Sequence, residues 1–233
     1  MLNAQPVEKG IDHHLLDVVD IWQTIQGEGP FVGWPAIFIR LAGCNLQCPL
    51  CDTDYTTGRS PLPVASIMEL VELRKEERTK LIVLTGGEPF RQNICTLVSE
   101  LTNRNYRVQI ETNGTISPKA FGYMPSIANI VCSPKTPKID HDILQDAMAF
   151  KYVVQAGQVD LDDGLPTSVL GLKVSPARPY NLGARVAMGS VYVQPADEYN
   201  DIKNKANMDE AVRSCLKYGY RLCLQQHKAA GLP

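Results

Sequence analysis

The apolar positions of the chain fall into short runs split by polar punctuation, and the runs alternate between two periods. Pro35-Ala-Ile-Phe-Ile-Arg-Leu-Ala42 is compact, β-branched and aromatic, and it predicts a buried strand. Ser66-Ile-Met-Glu69 has the form of a capping box. Ile67, Leu70 and Val71 recur at helical spacing there, so a helix is expected to about Arg78. Lys80-Leu-Ile-Val-Leu-Thr85 predicts a second strand, and Ile94, Leu97, Val98 and Leu101 a second helix. Further strands are expected at Val108–Thr112, Ile127–Cys132, Phe150–Val154 and Ser190–Gln194. Met208, Ala211, Val212, Cys215 and Leu216 mark a last helix, and Arg221–Gln225 a final strand.

Strands that alternate with helices imply parallel β/α units. The helices are unevenly distributed, however. Gly114, Pro118, Gly122 and Pro125 fill one connection and Pro134 and Pro137 the next, which is poor material for covering helices. About six core strands against three good crossover helices predict an open, abbreviated β/α barrel. No repeat or linker divides the chain, so residues 1–233 are read as one domain, with a cysteine loop at 44–51 and a loop-rich insertion at about 155–189. Barrels of this kind place their chemistry at the C-terminal strand ends. Here those ends carry the cysteine loop, Thr85-Gly-Gly-Glu-Pro89, Glu111-Thr-Asn-Gly114, Ser133-Pro-Lys135 and Gln194-Pro195.

Composition narrows the class. The chain has 233 residues, 44% of them apolar and 21% charged, with a net charge of −2. It is long enough to bury a core without disulfide staples. The near-neutral balance argues against nucleic acid or an anionic membrane as partner. No apolar run reaches the roughly 18 residues that span a bilayer. Residues 1–20 lack the basic start and apolar run of a secretory signal. A cytoplasmic enzyme or binding domain is expected.

Seven cysteines stand at 44, 48, 51, 95, 132, 215 and 223. Cys95, Cys132, Cys215 and Cys223 sit singly in apolar surroundings and read as packing residues. Cys44-Asn-Leu-Gln-Cys48-Pro-Leu-Cys51 is different: three thiols this close form a loop that can wrap one metal centre. A structural zinc wants a fourth ligand, and an iron–sulfur cubane normally takes four thiolates. Three thiolates leave one iron of a cubane open to a substrate. A zinc module that recognises nucleic acid is the competing class, opposed by the missing ligand and the net charge of −2.

Cys-x3-Cys-x2-Cys after the first predicted strand, with Gly-Gly-Glu-Pro after the second, resembles the radical S-adenosylmethionine (SAM) superfamily. A narrower resemblance covers nearly the whole chain. Thr24-Ile-Gln-Gly-Glu-Gly29, Phe38-Ile-Arg-Leu-Ala-Gly-Cys44-Asn, Cys51-Asp-Thr-Asp54, the later strand-end motifs and Gln226-His-Lys228 through Pro233 are similar to the 7-carboxy-7-deazaguanine synthase family. This resemblance implies an α/β fold, an incomplete (β/α)6-type radical SAM barrel with reduced helix content, and a homodimer. It implies a lyase that converts 6-carboxy-5,6,7,8-tetrahydropterin to 7-carboxy-7-deazaguanine with release of ammonia, in 7-deazapurine (queuosine-type) biosynthesis. A glycyl-radical activase is the alternative within the superfamily, but activases often carry an added ferredoxin-like cysteine set that this chain lacks.

The resemblance also implies residue roles. Cys44, Cys48 and Cys51 would hold a [4Fe–4S] cluster, fed by an external one-electron reductant of flavodoxin or ferredoxin type. SAM is implied at Leu50, Cys51 and Asp52, partly through backbone, and at Gly87, Glu88, Ser133, Pro134, Lys135 and Gln194. Gly86 and Gly87 suit close backbone approach to a ligand, and Glu88 could accept from the SAM amino group. Thr53 matches a magnesium ligand, which needs substrate oxygens and water to complete its shell. Substrate contacts are implied at Ile25 through its backbone, Gln26, Gly27, Glu28, Arg40, Thr85, His227 and the α-carboxylate of Pro233. Arg40 ends a buried strand and reads as a clamp on the substrate carboxylate or as half of an internal ion pair. No residue is an obvious general base. The tail Gln225-Gln-His-Lys-Ala-Ala-Gly-Leu-Pro departs from the family's Gln-Thr-His-Lys-Tyr-Leu-Asn-Ile-Pro.

Overall fold

The first strand, β1 (Leu15–Ile25), runs antiparallel to β2 (Pro35–Leu41) on one side and to β3 (Ser60–Pro63) on the other. From β2 onward every strand is parallel: β4 (Leu81–Gly86), β5 (Arg107–Thr112), β6 (Asn129–Cys132), β7 (Ala147–Val154), β8 (Val191–Pro195) and the two-residue β9 (Arg221–Leu222). They form one nine-stranded sheet in the order β3-β1-β2-β4-β5-β6-β7-β8-β9. This computed structural model describes residues 14–122, 128–182 and 190–232. Its helices are α1 (Val64–Arg74), α2 (Cys95–Asn103), the short α3 (His141–Asp146), α4 (Asp201–Tyr218) and the one-turn α5 (Gln226–Ala229). The six expected core strands are β2 and β4 to β8, and the three substantial helices are α1, α2 and α4, so the helix-poor parallel architecture holds.

Alternation along each strand separates two faces. Ile37, Ile39, Leu41, Ile82, Leu84, Val108 and Ile110 point to one side, where Ile67, Met68 and Val71 of α1 and Leu97, Val98 and Leu101 of α2 cover them in one continuous core. Phe38, Arg40, Thr85, Glu111, Val131, Lys151 and Val153 point to the other side and line a cavity. Two small apolar groups pack on the cavity side of the sheet: Phe31, Ala36, Leu81 and Val83, and Val131, Ala149, Tyr192 and Cys223.

Several local expectations are corrected. The capping box does not cap α1: its N-cap is Pro63, Ser66 lies inside the helix, and the helix ends at Arg74. The cause is β3, whose pairing with β1 delivers the chain to the helix early; the amide of Val64 donates to the His14 carbonyl at 2.7 Å instead. The final strand stops at Leu222, because the chain then turns toward the cavity and Gln225 reaches Glu28. Among the described residues of the loop-rich stretch there is no strand or α-helix, only two isolated bridges and a 3-10 turn at Pro179–Leu182.

Candidate active site

The strand ends converge on a cavity of about 440 Å³. Register explains which side chains meet there. Arg40 of β2 pairs with Thr85 of β4, and the Thr85 hydroxyl donates to the Glu111 carboxylate of β5 at 3.0 Å. Glu111 also accepts from Gln26 Nε2 at 3.2 Å and from Gln109 Nε2 at 3.0 Å. Val131, on the next strand, stands opposite Glu111. The outcome is a polar row along one rim of the sheet, fastened to the end of β1.

The cysteine loop leaves β2 and returns to the same cavity, so Cys44, Cys48 and Cys51 share its wall. The loop is internally tied: the Cys51 amide donates to the Cys48 carbonyl at 3.1 Å and the Leu46 amide to Cys44 Sγ at 3.4 Å. Burial, opposed by the Leu46 amide, pushes the Cys44 thiol up to about 11, and burial raises Cys48 and Cys51 as well. The free loop therefore holds neutral thiols, and a metal that binds them must displace protons. Among the described residues no three His, Cys, Asp or Glu side chains converge on the position of a single metal ion. Three thiols that share one cavity suit a cluster in which each takes its own iron. Thr53 and Asp52 follow on the same wall, with the Thr53 hydroxyl donating to Asp52 Oδ1 at 3.2 Å, and Leu50 lines it from the exposed side.

The glycines at the end of β4, Gly86 and Gly87, line the cavity and also let the chain pack closely. A Cβ on Gly86, whose φ is +130°, would strike the Leu41 carbonyl, and one on Gly87 would strike the Gly43 carbonyl and Cys44 Cβ. The cysteine loop can sit against the end of β4 only because those Cβ atoms are missing. Glu88 departs from its expected role. Its carboxylate does not line the cavity; it is fully buried and accepts from Phe90 N at 3.1 Å, Thr112 Oγ1 at 2.8 Å and Asn113 N at 2.7 Å. Burial pushes that carboxyl up to about 7, against three hydrogen bonds that favour the ionised form. Glu88 is a strut between the ends of β4 and β5.

The opposite wall is built from the chain after β1 and from the tail. Gln26 is buried, and its Oε1 accepts the Glu28 amide at 3.0 Å. Glu28 forms an ion pair with Lys151 of β7 and accepts from Gln225 Nε2 at 2.9 Å. Burial alone would raise the Glu28 carboxyl, but the Lys151 ammonium, two side-chain hydrogen bonds and the nearby His227 hold it below its ordinary value. Lys151 is in turn raised by Glu28 and Glu111, against burial. Gly27 lies under the tail: a Cβ there would collide with His227 Nδ1 and stand 2.8 Å from its amide. Gly27, Ile25 and Pro134 do not line the cavity, and Pro233 lies outside the described residues.

Arg40 has no carboxylate partner among the described residues, which removes the internal ion pair. Its guanidinium lies 4.7 Å from the centre of the Trp22 ring, and both Arg40 Nε and Trp22 Nε1 are buried donors without an acceptor. Both residues line the cavity. A guanidinium on a cavity wall with no carboxylate of its own can receive one from a ligand through its remaining N–H groups. Lys135, also on the wall, donates to the Ser133 carbonyl at 3.0 Å and to its hydroxyl. Gln194 closes the far side, where Cys223 Sγ donates to its Oε1 at 3.8 Å. Cys223 thus adds polar contacts to its packing role, since its sulfur also accepts the Gly29 amide at 3.4 Å.

Trp22, Glu111, Lys151 and Gln225 carry no predicted role, yet they line this cavity. The signal for Glu111 is its place at a strand end beside Thr-Asn-Gly. Lys151 is visible only as a charge inside an otherwise apolar strand, Phe150–Val154.

Comparison with known proteins agrees with the geometry. Residues 38–144 match the model of the Radical SAM superfamily, which spans β2, the cysteine loop and the strut. The 7-carboxy-7-deazaguanine synthase of Rhodospirillum rubrum is 40% identical over 222 residues, covering 93% of this chain and 92% of the relative. That of Rickettsia prowazekii is 35% identical, covering 93% and 88%. The crystal structure of QueE from Escherichia coli has the same fold, with a TM-score of 0.66 at 20% identity, covering 90% of this chain and 93% of that one. Radical SAM proteins work with a [4Fe–4S] cluster and SAM, and the three thiols in one cavity fit that requirement. The chain belongs to the 7-carboxy-7-deazaguanine synthase family of the radical SAM superfamily.

Proposed function

We propose that this cavity binds SAM together with 6-carboxy-5,6,7,8-tetrahydropterin, and that the chain is the lyase that contracts this ring to 7-carboxy-7-deazaguanine with release of ammonia. The observation that carries the substrate is the Arg40–Trp22 pair. The Arg40 guanidinium, stacked on Trp22 and without a carboxylate partner among the described residues, lines the cavity that holds the three thiols. Arg40 clamps the substrate carboxylate. Gln26, Glu28, Thr85 and His227 offer donors and acceptors to the guanine-like edge. The backbone at Ile25 and Gly27 supports that edge from behind, and Pro233 is assigned to it by family resemblance alone.

Cys44, Cys48 and Cys51 hold the cluster. Leu50, Asp52, Gly87, Ser133, Lys135 and Gln194 flank SAM, with Pro134 shaping the turn that carries Lys135. Glu88 supports that site from below rather than touching the ligand. The cluster and SAM supply, when bound, the one-electron reduction that starts hydrogen abstraction, with the electron coming from a flavodoxin- or ferredoxin-type donor. The protein's own part is to place the carboxylate-bearing carbon and to keep water out. Thr53 is a magnesium ligand in this reading. A hydroxyl beside Asp52 is a weak site alone, so the ion requires substrate oxygens to complete it.

The chain acts as a homodimer in the cytoplasm. Support for a reducing compartment comes from its seven free cysteines. No described helix is long and apolar enough to cross a membrane. The deciding experiment is anaerobic turnover with SAM, reductant, magnesium and the carboxytetrahydropterin. The expected product is carboxydeazaguanine, with SAM regenerated. Irreversible SAM cleavage without that product overturns the substrate assignment.

A further inference from the structure

The stretch after β7 has no role in the site as described so far. It contains a tight turn, Val169 to Leu172, whose ends exchange backbone hydrogen bonds of 3.0 and 2.8 Å. Leu170, at its first corner, has a φ of +45°, and Gly171 has +83°. Glycine holds that conformation freely; a bulky leucine does not, and such strain persists only where surroundings enforce it. The surroundings here are the cysteine loop. The Leu170 carbonyl accepts the amide of Leu50 at 3.0 Å. A Cβ on Gly171 would stand 3.0 Å from Pro49 Cβ and 3.4 Å from Leu50 Cγ. Pro49 and Leu50 are the two residues between Cys48 and Cys51, and Leu170 lines the same cavity as the three thiols. The segments that flank the turn are tied together by Arg178. Arg178, largely buried, donates to the carbonyls of Pro166 and Pro176 at 3.0 and 2.8 Å and pairs with Asp163 at 2.8 Å.

We propose that the 169–172 turn is a clamp on the cysteine loop. Its Leu170 carbonyl fixes the peptide between the second and third cysteines. Its Leu170 side chain closes the cavity wall with an apolar group, which limits the access of water and dioxygen to the metal. Residues outside the ligand set commonly govern metal retention and solvent access in this way. The inference rests on the reading of Cys44, Cys48 and Cys51 as cluster ligands.

The test uses anaerobically reconstituted full chain without substrate. Iron content, bleaching of the visible absorbance in air and iron release to a chelator are measured for wild type, Leu170→Asn, Leu170→Gly and Gly171→Val. Asparagine tolerates the left-handed backbone, so Leu170→Asn keeps the carbonyl contact and makes the wall polar; its cluster is expected to bleach faster in air at wild-type iron content. Gly171→Val drives the turn off Pro49 and is expected to release iron about tenfold faster. Leu170→Gly relieves the strain, so the metal-free protein should melt higher while the cluster bleaches faster, an opposed pair of shifts that misfolding does not produce. Bleaching and release equal to wild type in the Leu170 variants, at equal iron content, overturn the clamp. A wild type that retains no iron overturns the ligand assignment itself, and the clamp with it.

Discussion

At the scale of single residues, the cavity contains two kinds of charge. Arg40 is open to a ligand, whereas Lys151 and Glu28 satisfy each other. Arg40→Met keeps the apolar stem against Trp22 and removes the charge. It should raise the substrate KM by about ten- to a hundredfold, the worth of a charge-assisted hydrogen bond, while SAM binding measured by calorimetry stays unchanged. Lys151→Met leaves Glu28 buried without its cation and should lower stability by about 3–5 kcal/mol in chemical denaturation. The loss depends on pH with a definite sign. Glu28 titrates below its ordinary 4.5, so its share of the stability exists above pH 4.5 and vanishes as pH falls through the lowered value. Lys151 titrates above its ordinary 10.5, so its share exists below pH 10.5 and vanishes as pH rises through the raised value. The gap between wild type and Lys151→Met should therefore be wide between these limits and close under acid, where protonation of Glu28 also relieves the variant. A gap that stays constant under acid would remove the pair as its cause. The sequence made the cysteines and Arg40 legible because spacing and a charge at a strand end are local signals. The Glu28–Lys151 pair spans 123 residues, so no local pattern announces it.

Elements obey the same division between local and distant causes. The parallel strands are legible because burial on both faces writes a continuous apolar run. β1 is not, since a register shift between Val18 and Asp20 moves its buried positions from one phase of the alternation to the other. β3, with the sequence Ser-Pro-Leu-Pro, has the composition of a loop and becomes a strand only by pairing with β1 at the edge of the sheet. Capping chemistry shows how context overrides a motif. Ser66 lies within α1, so Ser66→Ala should change stability by less than about 0.5 kcal/mol. Asn200 caps α4 through Lys203 N at 3.1 Å, so Asn200→Ala should cost about 1 kcal/mol. Thermal melts of the two variants, measured side by side, check both values; a larger loss at Ser66 would restore the capping box.

Across the whole molecule, the site lies where the strand ends of a parallel sheet meet two pieces that are far apart in the chain. The sheet grows by neighbouring β/α units, but the wall at Glu28 and Gly29 closes by contacts to Gln225 and Cys223 over 197 and 194 residues. Contacts of such separation form late in folding, after the loops between them have closed. Beyond them the tail is exposed: α5 has no buried residue. The amides of Gln226 to Ala230 should accordingly exchange hydrogen by local opening, much faster than those of β4 and β5, and denaturant should leave that fast rate unchanged. Exchange of the tail at the rate of the central strands would contradict this order. Because Gln226 and His227 pack over Gly27, a tail that opened alone would uncover the Glu28 side of the cavity to solvent while the β-sheet and the cysteine loop kept their own contacts.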